Sequence, residues 1–159
     1  MRVSQIFLWA FVPWPVFWQQ GGPLLKDHGS IRFGLSASST CHQVDKIFHG
    51  VVALQAATQK YGLSHRTRPL SEADAMLFVN SKPKPMSFWM LQTYIPLDIA
   101  YYDSTGLLRE VYYMPVEIDP SRPKTRYLSK TNIQVSIEMK PGAHHSLWSH
   151  PHLCVDSKS

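Results

Sequence analysis

Apolar and polar positions alternate most cleanly near the C-terminus, where Ile133, Val135, Ile137 and Met139 interleave with Gln134, Ser136, Glu138 and Lys140. Side chains on a strand point to opposite faces with period two, so this pattern predicts a half-buried strand with its polar face in water. Shorter apolar runs predict further strands. Ile47 to Leu54 carries Phe48, Val51 and Val52, with Gly50 as a bulge or turn. Met76-Leu77-Phe78-Val79 fits a buried strand, and Asn80 to Pro85, broken by Pro83 and Pro85, fits an exposed loop. Two strands are expected at 87–94 and 98–103, on either side of Pro96. The turn Asp103-Ser104-Thr105-Gly106 leads into a longer strand from Leu107 to Glu117, interrupted by Pro115. Ala56 to His65 contains helix formers with Ala57, Tyr61 and Ser64 on one face, which predicts a short amphipathic helix. Together these elements make a β-rich α+β domain: a small curled sheet or barrel-like domain with one or two short helices.

The organisation along the chain has three parts. Residues 1–43 hold an N-terminal apolar segment, Ile6 to Trp18, behind Arg2, followed by a Gly- and Ser-rich linker. A positive start and a short apolar run resemble an export signal, and the run is too short for a transmembrane helix, which needs about 20 residues. Pro13 and Pro15 interrupt it, and no small-x-small cleavage site follows directly. The segment is therefore expected either to direct export or membrane attachment through residues 6–18, or to be a non-native or misread N-terminus, with a cytoplasmic protein as the alternative. Residues 44–142 form the β-rich domain. Residues 143–159 form a C-terminal tail with His144, His145, His150, His152 and Cys154.

Composition narrows the function classes. The chain has 159 residues, of which 44% are hydrophobic and 17% charged, which suits one domain with a real core. The net charge of +5 comes from scattered residues; Lys82-Lys84 and Arg122-Lys124-Arg126 are spaced by prolines or single residues, so no basic stripe for nucleic acid exists. There is no glycine-rich phosphate loop, no dinucleotide fingerprint and no CxxC, and no cofactor is expected. The histidines of the tail suit a transition metal chemically, but the second Cys or His pair of a structural site is missing, so no metal site is expected. Cys41 and Cys154 can pair in an oxidising compartment.

At several separate positions the chain resembles the domain of unknown function 192 family. The pieces that carry the likeness are Val52-Ala53, Gly62-Leu63-Ser64-His65-Arg66, Met76-Leu77-Phe78, Phe88-Trp89-Met90, Thr93, Pro96-Leu97-Asp98, Asp103-Ser104-Thr105-Gly106, Val135 to Met139 and Pro141-Gly142. They occur in the family's order over Val44 to Gly142. The chain departs from the pattern at Ser64, Ala75 and Leu91-Gln92, where the family has Met, Gly and Lys-Asn. The family continues past this point with a short helix, a Gly-Asp turn and a last strand, and the tail here is expected to lack that strand. The resemblance implies a compact β-rich fold, often exported or attached to the envelope, and no established reaction.

Four residues form the candidate ligand site: Arg66, Trp89, Thr93 and Asp98. On a strand over 87–94, Trp89 and Thr93 share a face, and Asp98 returns to their neighbourhood after Pro96. Arg66 can pair with Asp98 or keep its donors for an anionic ligand. Trp89 and Phe88 serve as core or as the aromatic wall of a pocket, and Asp98 as a turn partner or a binding group. No nucleophile–base pair stands out, and Glu110, Glu117 and Glu138 have no spacing that pairs them as carboxylates. The expected function is a non-enzymatic, monomeric small-ligand-binding or accessory envelope protein. The alternatives are a hydrolase using Asp98 and Arg66, and a structural protein without ligand.

Overall fold

An eight-stranded sheet forms the frame, in a computed structural model that describes residues 11–19, 25–142 and 147–156. The elements are β1 (Phe11–Pro13), α1 (Trp14–Gln19), β2 (Ser30–Ser36), β3 (Lys46–Ala53), α2 (Ala56–Tyr61), β4 (Asp74–Lys84), β5 (Ser87–Phe88), β6 (Leu97–Tyr102), β7 (Leu108–Met114), β8 (Tyr127–Leu128), β9 (Ile133–Met139) and β10 (His152–Asp156). The sheet runs β1-β10-β2-β3-β4-β9-β6-β7, and β5 pairs separately with β8. Among the described residues only β3 and β4 are parallel, joined by the crossover that contains α2; the other pairs are antiparallel. This is the β-rich α+β fold expected, with an open sheet rather than a barrel. The sheet curls until Leu107 bridges His152, while Leu108 N–H donates to Pro151 O and Leu153 N–H to Gly106 O, each at 2.8 Å.

Two apolar clusters lie on opposite faces of the central strands. Ala75, Leu77 and Val79 of β4, Ala100 and Tyr102 of β6, and Val135, Ile137 and Met139 of β9 face one of them, with Trp14, Phe33 and Phe48. Met76 and Phe78, then Leu97, Ile99 and Tyr101, face the other, which Phe88, Met90 and Tyr127 cover. A sheet covered on both faces buries its polar alternates too. This corrects the expectation for β9: all seven of its residues are buried, because it lies between β4 and β6 and both its faces are covered.

Both ends of the chain contribute to the sheet, against the expectation of a linker and a free tail. In β2, Ile31, Phe33 and Leu35 are buried alternates within the supposed Gly/Ser linker. β10 lies between β1 and β2, with Leu153, Cys154 and Val155 buried, so the last strand expected to be missing is present. His144 and His145 lie outside the described residues; His150 sits 3.2 Å from Asp45 and His152 starts β10. Of the apolar run 6–18, residues 6–10 lie outside the described residues. Within its remainder Trp14 and Phe17 belong to the core, and Trp14 Nε1 donates to Gln134 Oε1 at 3.3 Å.

The remaining differences are local. Gly50 is no bulge: it sits in register between Ile31 and Ala75, and a Cβ there would meet Leu77 Cδ1 at 2.2 Å, so the missing side chain lets Leu77 reach the sheet. The strand expected at 87–94 stops at Phe88. Gln92 has φ 51°, and Thr93 N–H donates to Met90 O, so the chain turns where a continuous strand was expected.

Candidate functional site

The helix α2 is set by contacts from elsewhere in the chain. Asp27 Oδ1 accepts N–H groups from Leu54 at 2.7 Å and Gln55 at 3.2 Å, and Thr58 Oγ1 donates to Asp27 Oδ2. The Thr58 hydroxyl chiefly holds the Asp27 carboxyl below its ordinary range. Gln59 Nε2 donates to Ala53 O and Val79 O, at 3.2 and 3.0 Å, and fixes the helix to the end of β3 and the middle of β4. After the helix, Ser64 Oγ donates to Leu91 O at 2.9 Å, as does Thr93 Oγ1 at 3.2 Å, and His65 N–H reaches Gln92 O at 2.6 Å. The segment 86–93 is thereby held opposite α2.

Between them lies a cleft of about 370 Å³. Its walls include Phe78, Phe88 and Trp89, with Thr93, Lys60 and Arg126 also lining it. The Arg126 guanidinium lies over the Trp89 ring, 3.7 Å from its centre, a cation–π contact. Phe88 meets Phe78 edge-on at 4.8 Å between ring centres. Glu138 also lines this cleft, 5% exposed, and its Oε2 has no hydrogen-bond partner. It projects from β9 between Met76 and Ile99, its register partners on β4 and β6. Loss of water pushes its carboxyl up to about 8, so it is mainly protonated at neutral pH. A buried, unmatched carboxyl in a concave aromatic site is a hallmark of a binding or reacting position.

The four residues expected to converge are separated. Trp89 and Thr93 line this cleft. Arg66 lines a different one, of about 440 Å³, with His28, His49 and Asp74, and its Nε donates to Arg68 O at 2.9 Å. Asp98 lines neither of the two; it is fully buried and its Oδ2 accepts the Gly142 N–H at 2.9 Å. The turn role weighed for Asp98 is therefore the one this hydrogen bond supports. The early turn at Gln92 is what defeats the convergence, which requires an extended strand through Thr93. Asp98→Ala is expected to cost about 1–3 kcal/mol by stranding a backbone donor, and Arg66→Gln within about 0.5 kcal/mol. Urea midpoints of the two variants check this; equal losses would restore a structural link between them.

Sequence reasoning passed over Glu138 and Arg126. Glu138 was visible as a charge in the most regular strand pattern, but that pattern reads as polar-out unless the strand is known to be central. Arg126 had no signal beyond its basic neighbours.

Fold and site define a β-rich α+β domain with an open, curled sheet and a ligand-sized cleft on one face. The chain belongs to the family of uncharacterised proteins called domain of unknown function 192, described as Uncharacterized ACR, which matches residues 39–148. Among solved structures, a candidate transcription regulator from Sinorhizobium meliloti 1021 is similar, with TM-score 0.69 and 22% identity, covering 83% of this chain and 98% of that one. A protein of unknown function from Novosphingobium aromaticivorans DSM 12444 has TM-score 0.62 and 23% identity, covering 79% of this chain and 84% of that one. At such identities the likeness is one of fold. No curated relative matches the chain.

Proposed function

We propose that the domain is a non-enzymatic small-ligand-binding or accessory protein of the cell envelope, with the cleft between α2 and residues 86–93 as its site. The observation that carries this reading is Glu138, whose carboxyl faces a cleft of ligand size with one oxygen unmatched. Burying such a group without a partner costs stability, which a bound molecule would offset. A hydrolase built on Asp98 and Arg66 has little to support it, because Asp98 is engaged with Gly142 and Arg66 lines another cleft. Export is supported by the disulfide between Cys41 and Cys154, a bond that persists mainly in oxidising compartments. Membrane attachment through residues 6–18 would draw Trp14 and Phe17 out of the core, so we favour a soluble exported domain.

Native mass spectrometry of protein purified from its own host tests the reading. A co-purified small molecule is expected, reduced at least about tenfold in Glu138→Gln. A folded protein that carries nothing from its host would point to a structural role without ligand.

A further inference from the structure

The polar groups of the cleft are segregated by depth and sign. Glu138 is buried among Phe78, Phe88 and Tyr101, whereas Lys60 and Arg126 are exposed side chains lining the same cleft. Neither cation has an ion-pair partner among the described residues. A ligand bearing only an anion would meet the two cations but would bring nothing to the acid. One bearing only a cation would pass the two positive side chains unaided. A neutral polyol would use Glu138 as a hydrogen-bond donor and leave both cations idle.

We infer that the cleft takes a small zwitterion, with a protonated amine seated against Glu138 and the aromatic rings, and an anionic group held by Arg126 and Lys60. This rests on the ligand-binding reading above and names the ligand class for that site. The ammonium supplies the missing partner of Glu138 Oε2, and ring faces attract a desolvated cation. Arg126, already placed over the Trp89 ring, has guanidinium donors to offer a carboxylate or phosphate.

The proton traffic follows from the same contacts. Glu138 gives up its proton to the buffer when the ammonium arrives, and the amine keeps its own. The other titratable groups around it are Tyr101 from β6, and Lys60, Tyr61 and Arg126 around the cleft; its register partners on β4 and β6 are Met76 and Ile99. Burial, with the nearby Tyr112, Glu138 and Glu110, raises the Tyr101 hydroxyl far above its ordinary value, so it stays protonated throughout. Glu138 is thus the group that changes state.

The experiment is isothermal titration at pH 7, in two buffers of different ionisation heat, with the series glycine, β-alanine, 4-aminobutanoate and 6-aminohexanoate. Butylamine, butanoate and glucose serve as comparisons. One member of the series is expected to bind at least about tenfold more tightly than butylamine or butanoate and to release close to one proton. Glu138→Gln should abolish the release and most of the affinity. Arg126→Gln should keep the release while affinity falls to that of butylamine. Preferential binding of glucose or butanoate, sensitive to Glu138→Gln, would overturn the zwitterion and leave the ligand-binding reading intact. Binding of a zwitterion without proton release overturns it equally. If no probe binds and nothing co-purifies from the host, both readings fall.

Discussion

The unfolding free energy of this domain is expected to fall as pH rises from about 4.5 to about 8, and Glu138→Gln to remove most of that fall. Glu138 has an ordinary value of 4.5 when exposed and is pushed up to about 8 by burial. Between those values the folded chain holds a proton that the unfolded chain has lost. Stability then decreases with pH, since the native state binds more protons. The contribution is fully present below about 4.5 and is lost as pH passes about 8; the total is on the order of 5 kcal/mol. Acid groups with lowered values act in a different window. Asp27, Glu72, Asp103 and Glu117 are held below their ordinary range in the fold, chiefly by hydrogen bonds at Asp27, Glu72 and Glu117. At Asp103 burial, the largest influence, acts upward and is outweighed by hydrogen bonds from Thr105, Leu107 and Arg109. Their stabilisation is present above the unfolded values and is lost below them, as acid protonates the native state. Urea unfolding at pH 3, 5, 7 and 9 for wild type and Glu138→Gln separates the two windows by difference. Parallel pH curves for the two proteins would mean that Glu138 reaches water or a partner in solution.

The part of the fold that could be read from sequence is the part whose apolar pattern is local. β3, α2, β6, β7 and β9 all begin within a residue of their expected starts, because Val, Ile and aromatic runs bounded by Pro and Gly leave few alternatives. β2 carried an equally regular signal in Ile31, Phe33 and Leu35, which the surrounding glycines and serines masked. β10 could not be read that way. His152-Leu153-Cys154-Val155-Asp156 is short, with only three apolar residues between polar ends, and it is a strand because Phe33 and Leu35 on one side and β1 on the other offer it edges.

The expected convergence of the four residues breaks for a related reason. Trp89 and Thr93 line one cleft and Arg66 another, while Asp98 lines neither, and bringing all four together requires an extended chain through Gln92. A left-handed residue that is not glycine gives almost no warning in sequence. Glu138 was hidden by strand order. Alternation tells which residues share a face, and only the order β4-β9-β6 tells that both faces are buried.

Reduction of the Cys41–Cys154 bond is expected to destabilise the domain by about 2–5 kcal/mol, or about 5–15 °C in melting temperature. The two cysteines are 113 residues apart, so the bond closes a loop spanning most of the sheet and restricts the unfolded chain accordingly. Its position adds to the effect. Cys154 sits in β10 between β1 and β2, and Cys41 in the connection from β2 to β3. The bond therefore ties the strand that arrives last in the sequence to the first hairpin. Without it, β10 keeps its hydrogen bonds to both neighbours and the Arg32–Asp156 ion pair at 3.0 Å. Among the described residues β1 pairs with no strand but β10, so local opening should spread from β10 to β1 and to Trp14 behind it. Both sulfurs are buried, so reductant should act only as fast as this region opens. The comparison is between oxidised protein, reduced protein and the Cys41→Ala/Cys154→Ala double variant, by urea unfolding and amide hydrogen exchange. Faster exchange in β1 and β10 with β4, β6 and β9 unchanged is the expected pattern. Identical midpoints for oxidised and reduced protein would show that β10 is held by its strand pairing and packing alone.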